Sequence, residues 1–168
     1  CGVVVVEDSR AALQSLAAHY RAQFKGSVVG ITGSNGKTMV KEWIAASVLS
    51  TVKLYRSPRS YNSQLGVALS LLMIPEDADI AVIEAGISHP GEMQSLKRMI
   101  APQTVIFTSL GDAHQANFKS IEQKLREKLI LAADAENIIY SSDCKLLADT
   151  LQTEFADKKL IDSALITA

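Results

Sequence analysis

The sequence predicts an α/β fold, a mostly parallel sheet with helices on both faces. Three observations lead there. Ser27 to Ile31, Asp79 to Glu84 and Thr104 to Thr108 are short runs that are apolar on successive residues, as strands covered on both faces must be. Segments with apolar residues at helical spacing separate these runs, which is the strand–helix alternation of a parallel sheet. One strand also passes directly into a glycine-spaced loop and then a helix, in Gly30-Ile31-Thr32-Gly33-Ser34-Asn35-Gly36-Lys37-Thr38.

In chain order, Val3 to Val6 reads as a strand. Asp8 or Ser9 then caps a helix whose apolar positions are Ala12, Leu13, Leu16, Ala17 and Tyr20. Ser27 to Ile31 is the strand that feeds the loop. From Lys37 to about Ser50 a helix carries Val40, Trp43, Ile44, Ser47 and Val48 on one stripe, with Lys41 and Glu42 facing outward. Thr51 to Arg56 is a short strand ended by Ser57-Pro58-Arg59-Ser60. Gln64 to Met73 reads as a buried helix closed by Pro75, and Asp79 to Glu84 as a strand. A helix from Gly91 to Ile100, a strand from Thr104 to Thr108, a loop through His114, a helix from Ser120 to Ala133 and a strand from Asn137 to Tyr140 complete the reading. Residues 1–168 form a single domain, 1–25 being an entry strand and helix and 26–168 the core.

Composition narrows the function. The 168 residues are 48% hydrophobic and 21% charged, enough for a core that needs neither metal nor disulfides. Two cysteines, Cys1 and Cys144, cannot make a disulfide framework, which points to a reducing, cytoplasmic setting. A formal charge of −1 with mixed signs leaves no basic stripe for nucleic acid. No apolar run reaches the ~18 residues that span a bilayer, so no membrane partner is expected. The chain begins at Cys1 without an initiator methionine, so a piece of a longer multidomain polypeptide is expected.

The loop is built for phosphate. Gly33 and Gly36 let the backbone turn tightly, Ser34 and Asn35 complete the bend, and the helix from Lys37 adds its positive end. Lys37 would lie along the β- and γ-phosphates of a nucleotide, and the Thr38 hydroxyl would hold Mg²⁺. Ile31 stands where the longer form of this motif has a glycine, so the loop is the compact Thr-Gly-x-x-Gly-Lys-Thr form. Ligands of parallel sheets lie beyond the carboxyl ends of strands, which singles out Glu84 and His114 as candidate metal ligands. His19 and His89 read as surface residues.

These residues resemble the ATP-dependent Mur ligases of peptidoglycan synthesis, which share their central domain with folylpolyglutamate synthetase. The resemblance rests on Thr32 to Thr38 with Lys41-Glu42, on Asn62 to Gly66, on Val82 to Gly86, on Ala113-His114 and on the helix from Ser120 to Leu131. It covers nearly the whole chain from about Glu7. Ser57 to Gln64 and Gly86 to Met93 look closest to the form fused to an alanine racemase. The resemblance implies ATP and two Mg²⁺ ions, with Lys37 and Thr38 on the triphosphate and Thr38, Glu84 and His114 on the metal. It also implies that Lys128 carries a CO₂-derived carbamate, an anion with hard oxygens suited to Mg²⁺. Asn62 and Gln64 fall in the substrate loop, where Ser63 and Ala68 depart from the family's usual asparagine and proline. The implied reaction joins UDP-N-acetylmuramoyl-tripeptide to D-alanyl-D-alanine, with N- and C-terminal domains of the same chain completing the site. Another Mur ligase, a folylpolyglutamate synthetase-like ligase, a non-catalytic nucleotide-binding scaffold and a P-loop switch or transport ATPase are the alternatives. Against the last, the chain lacks Asn-Lys-x-Asp and Leu-Ser-Gly-Gly-Gln.

Overall fold

The computed structural model describes residues 2–48, 50–111 and 115–165. Helix α1, Ser9–Gln23, begins where Asp8 accepts the backbone N–H groups of Arg10 and Ala11, satisfying two donors that the helix itself cannot. After it come β1 (Ser27–Thr32), α2 (Lys37–Ser47), β2 (Leu54–Arg56), α3 (Gln64–Leu72), β3 (Ile80–Glu84), α4 (Glu92–Ile100) and β4 (Thr104–Phe107). The described chain ends with α5 (Ile121–Leu129), β5 (Asn137–Tyr140), α6 (Lys145–Glu154) and β6 (Lys159–Asp162). Ser63 and Ser120 cap α3 and α5 through their hydroxyls.

The six strands are parallel and lie in the order β2-β3-β1-β4-β5-β6. From β1 the chain steps one way, to β2. Every later crossover steps the other way. Right-handed crossovers therefore place α2 on one face and α3 to α6 on the other, where α1 joins α3 and α4. Because β1 sends its helix to the face opposite those used by its neighbours β3 and β4, a crevice opens at its carboxyl end.

The main core occupies the crowded face. Val28, Ile83, Val105, Phe107, Ile138 and Tyr140 from the strands meet Leu71, Met93, Leu96, Leu125, Leu131 and Leu151 in one buried cluster. On the α2 face the alternate residues Thr104 and Ile106 of β4, and Asn137 and Ile139 of β5, are only half-buried. No described helix is long and apolar enough to cross a membrane.

Several expectations are corrected. Val3–Val6 make no strand: they are exposed and join no strand of the described sheet. Of the stripe assigned to α1, Ala17 is buried and Leu13 and Tyr20 pack on the core, but Leu16 is exposed; Arg21 is buried with them, its guanidinium donating to the Ile100 and Ala101 carbonyls. The face assigned to α2 was wrong. Lys41 is 0% exposed whereas Trp43 is 61% exposed, because the helix lies over the carboxylate of Glu84 rather than over a purely apolar surface. The fifth helix ends at Leu129 and continues as a 3-10 turn through Ala132. Helix α6 and strand β6 were not anticipated, although Leu147, Ala148 and Leu151 recur at helical spacing and are buried.

Candidate active site

Strand β1 delivers the loop to the crevice. Gly33 has φ of 144° and Gly36 of 80°, backbone that side chains resist, and a Cβ on Gly33 would lie 2.1 Å from Thr108 Oγ1. Glycine is required at Gly33 on both counts. Ser109 fixes the bend from β4, accepting the Ser34 N–H on its carbonyl at 2.8 Å and the Asn35 N–H on its hydroxyl at 3.1 Å. Those two N–H groups are therefore engaged within the loop. The donors left to face a ligand are those at the start of α2, whose Gly36 cap supplies no side-chain acceptor.

Three lysines surround this loop. Lys37 Nζ donates to the Gly33 carbonyl at 2.9 Å, and Lys128 Nζ, from α5, donates to the same oxygen at 3.0 Å. Lys124, one turn before Lys128, donates to the Gly111 carbonyl. Lys124 and Lys128 are buried, whereas Arg126 between them is exposed and reaches Glu154. Burial lowers the Lys37 ammonium pKa; Glu84 opposes that shift and Lys124 reinforces it. Burial, with Lys37 and then Lys124 nearby, pulls Lys128 down to about 7.

The carboxylate stands at the end of the neighbouring strand, where register sets Glu84 beside Ile31. Its Oε2 accepts from Thr38 Oγ1 at 3.1 Å and lies 3.5 Å from Asn62 Nδ2. Its Oε1 lies 2.8 Å from Lys41 Nζ, and both side chains are fully buried. Asn62 can reach inward because Gly86 has no side chain: a Cβ there would fall 2.9 Å from the Asn62 amide. Gln64, held at 2.8 Å by Gln14 of α1, lines the same cleft as Gly33, Ser34, Lys37, Asn62 and Lys128. Thus the loop, Lys37, Thr38, Glu84, Asn62, Gln64 and Lys128 come together. His114 lies outside the described residues.

A profile of the Mur ligase middle domain matches residues 31–161. The chain belongs to the Mur ligase middle-domain family. It is 34% identical over 148 residues to the UDP-N-acetylmuramoyl-tripeptide--D-alanyl-D-alanine ligase of Bacillus subtilis, a match covering 86% of this chain and 32% of that protein. A crystal structure of MurF from Acinetobacter baumannii superposes with a TM-score of 0.87 at 25% identity, covering 95% of this chain and 36% of that one. The MurF ligase of Thermotoga maritima, solved in complex with ADP, gives 0.83 at 26% identity over 94% of this chain and 37% of that one. The chain therefore spans about a third of the length of these proteins.

In this Mur ligase middle domain the residues that sequence reasoning missed are those whose role depends on packing. Lys41 is the largest omission. It lies four residues after Lys37 and so on the same side of α2, the one signal in the sequence that could have turned it toward the sheet. Ser60, 3.2 Å from Thr38 Oγ1, and Glu92, which accepts the Ser88 and His89 N–H groups at 2.6 and 3.0 Å, also border the cleft. Burial raises the Glu92 carboxyl pKa, but those two N–H groups and His89 outweigh it and leave the pKa below its ordinary value.

Proposed function

We propose that this chain is the central nucleotide-binding domain of a cytoplasmic ATP-dependent ligase that joins UDP-N-acetylmuramoyl-tripeptide to D-alanyl-D-alanine. The observation that carries the reading is the convergence of Lys37 and Lys128 on the Gly33 carbonyl, beside the Thr38–Glu84 pair. Two amines crowded onto one neutral oxygen, with no carboxylate paired to either among the described residues, make a place for an anion. A nucleotide triphosphate is that anion. The kinship with ligases of this specificity supports the choice of acceptor and amine.

The residues also fit Mg²⁺. Thr38 Oγ1 and Glu84 Oε2 stand 3.1 Å apart beside the loop, two hard oxygens of the kind an ion shared with phosphates takes. These two would hold it, joined by His114 and a carbamate on Lys128. Held by these residues, Mg²⁺ would supply charge neutralisation at the phosphate oxygens during phosphoryl transfer.

The acceptor carboxylate oxygen attacks the γ-phosphorus, the bond to the β-phosphate oxygen breaks, and ADP leaves with an acyl phosphate formed. The neutral amine nitrogen then attacks the acyl carbon, the carbon–oxygen bond to phosphate breaks, and the amine proton passes to the departing phosphate. Lys37 follows the migrating negative charge through both steps, while the α2 N-terminus holds the phosphates in line. Lys128 becomes an anion when its neutral amine adds to CO₂, forming a nitrogen–carbon bond and releasing one proton. Its lowered pKa supplies neutral amine near pH 7. Domains before and after this one would close over the cleft and exclude water.

The test is phosphate release by the intact polypeptide with ATP, Mg²⁺, UDP-N-acetylmuramoyl-tripeptide and D-alanyl-D-alanine. Release should require both peptide substrates, with one amide formed per phosphate. ATP hydrolysis that ignores the amine, or equal use of glutamate as amine, would overturn the assignment.

A further inference from the structure

Lys41, fully enclosed like its partner Glu84, has no part in the mechanism above. Its ammonium meets three separate pieces of backbone and side chain. It lies 2.8 Å from Glu84 Oε1, donates to the Ser57 carbonyl at 2.7 Å, and donates to the Arg59 carbonyl. Arg59 holds φ at 47°, a left-handed conformation that non-glycine residues resist, so its carbonyl is turned toward the ammonium against a local preference. The same turn is tied to β3 by the Ser57 N–H on the Val82 carbonyl at 2.9 Å and by the Ser57 hydroxyl, which accepts the Glu84 N–H at 3.3 Å. Two residues just past the turn border the metal-binding edge: Ser60 reaches Thr38 Oγ1, and Asn62 lies against Glu84 Oε2.

We propose that Lys41 is a positioning residue for the metal-binding edge of this site. The ammonium pairs with Oε1 of Glu84, which orients the carboxylate so that Oε2 faces the Thr38 hydroxyl and a divalent cation. Through the Ser57 and Arg59 carbonyls the same ammonium fixes the turn that brings Ser60 and Asn62 to that edge. One buried cation thereby sets the register of two loops that come from different strands. The inference rests on the reading of Thr38 and Glu84 as Mg²⁺ ligands.

ADP binding to the intact ligase, measured by calorimetry in EDTA and across a Mg²⁺ series, separates this role from a general structural one. In Lys41→Met the metal-free ADP affinity should stay within twofold of the parent, since the loop and Lys37 are untouched. The Mg²⁺ concentration at half-maximal enhancement should rise tenfold or more. A midpoint within twofold of the parent overturns the proposal. Glu84→Gln reports on the underlying reading: if it leaves the Mg²⁺ midpoint unchanged, the metal assignment fails rather than the positioning role alone. The double variant Lys41→Met/Glu84→Gln contains no unpaired buried carboxylate, so it remains testable even if Lys41→Met does not fold. Its midpoint should match that of Glu84→Gln, because Lys41 has nothing left to position. A further tenfold shift in the double variant overturns the proposal.

Discussion

Lys41 and Lys128 are buried to almost the same degree, 0% and 2% exposed, yet they keep opposite company. Lys41 faces a carboxylate and two carbonyls, so its charge is balanced within the domain. Lys128 faces one carbonyl and two other lysines, and its pKa falls to about 7. The difference shows how a buried cation can serve a site in two ways. A balanced one is a fixed part of the scaffold, costly to remove and indifferent to ligand. An unbalanced one stores a demand for negative charge that a phosphate, or a carbamate on the lysine itself, can meet.

The largest effect should come from breaking the balanced pair. Glu84→Ala leaves Lys41 buried without its counter-ion, which typically costs about 3–5 kcal/mol of stability, and it removes the carboxylate proposed to hold Mg²⁺, so ligation by the intact polypeptide should be lost. Adding Lys41→Met should recover most of that stability, read as the urea midpoint, while ligation stays lost. If the double variant is as unstable as Glu84→Ala, the pair is not what holds this edge together.

The same contrast separates what was legible in the chain from what was not. The loop, its glycines, Lys37, Thr38 and the strand-end Glu84 are local or positional signals, and the structure brings them together as expected. Strands β1 and β3 were legible because burial on both faces leaves continuous apolar runs, and β2, β4 and β5 followed from their place in the strand–helix alternation. Lys41 was misplaced because a stripe of Val40, Trp43, Ile44 and Val48 outscored one lysine. Only the tertiary position of Glu84 makes burying that lysine favourable. Lys128 was reached through family resemblance alone, since Lys124, Arg126 and Lys128 look equally solvated in sequence. Packing separates them: α5 turns its 124 and 128 positions to the loop and leaves Arg126 66% exposed. Strand β6 offered only Leu160 and Ile161 between charged neighbours, too short a run to stand out.

The unbalanced cluster gives the next effect in size. If Lys37 stays with the γ-phosphoryl group as it passes to the acceptor carboxylate, as proposed, Lys37→Ala should cost about 3 kcal/mol of transition-state stabilisation, roughly a hundredfold or more in kcat/KM. Stability should change little or rise, because burial already disfavours the Lys37 ammonium. A variant that loses less than tenfold in steady-state assays would take Lys37 off the reacting phosphates. Lys128→Ala should also be inactive in the intact ligase, with partial recovery in formate or acetate, whose oxygens can replace those of a carbamate. Lys128→Arg should not recover, because a guanidinium keeps its proton and cannot add CO₂. Full activity of Lys128→Ala would end the carbamate assignment.

The smallest effect isolates the demand for charge at Lys128 from all chemistry. Its amine titrates near 7 in the folded chain against 10.5 for a free lysine, so between those values the unfolded state holds a proton that the folded state lacks. Unfolding free energy should therefore rise with pH across that window, by up to about 1.4 kcal/mol per unit from this one group. Below about pH 7 both states are protonated, the penalty is fully present, and the contribution to the slope vanishes. Lys37 is shifted in the same direction, so the informative quantity is the difference between the parent and Lys128→Met, measured by urea unfolding in CO₂-free buffer from pH 6 to 10. The variant should be the more stable of the two at pH 6, and its advantage should shrink as the parent's amine loses its proton. Parallel curves would mean that Lys128 titrates as an ordinary lysine, and the carbamate would then have no neutral amine to start from near pH 7.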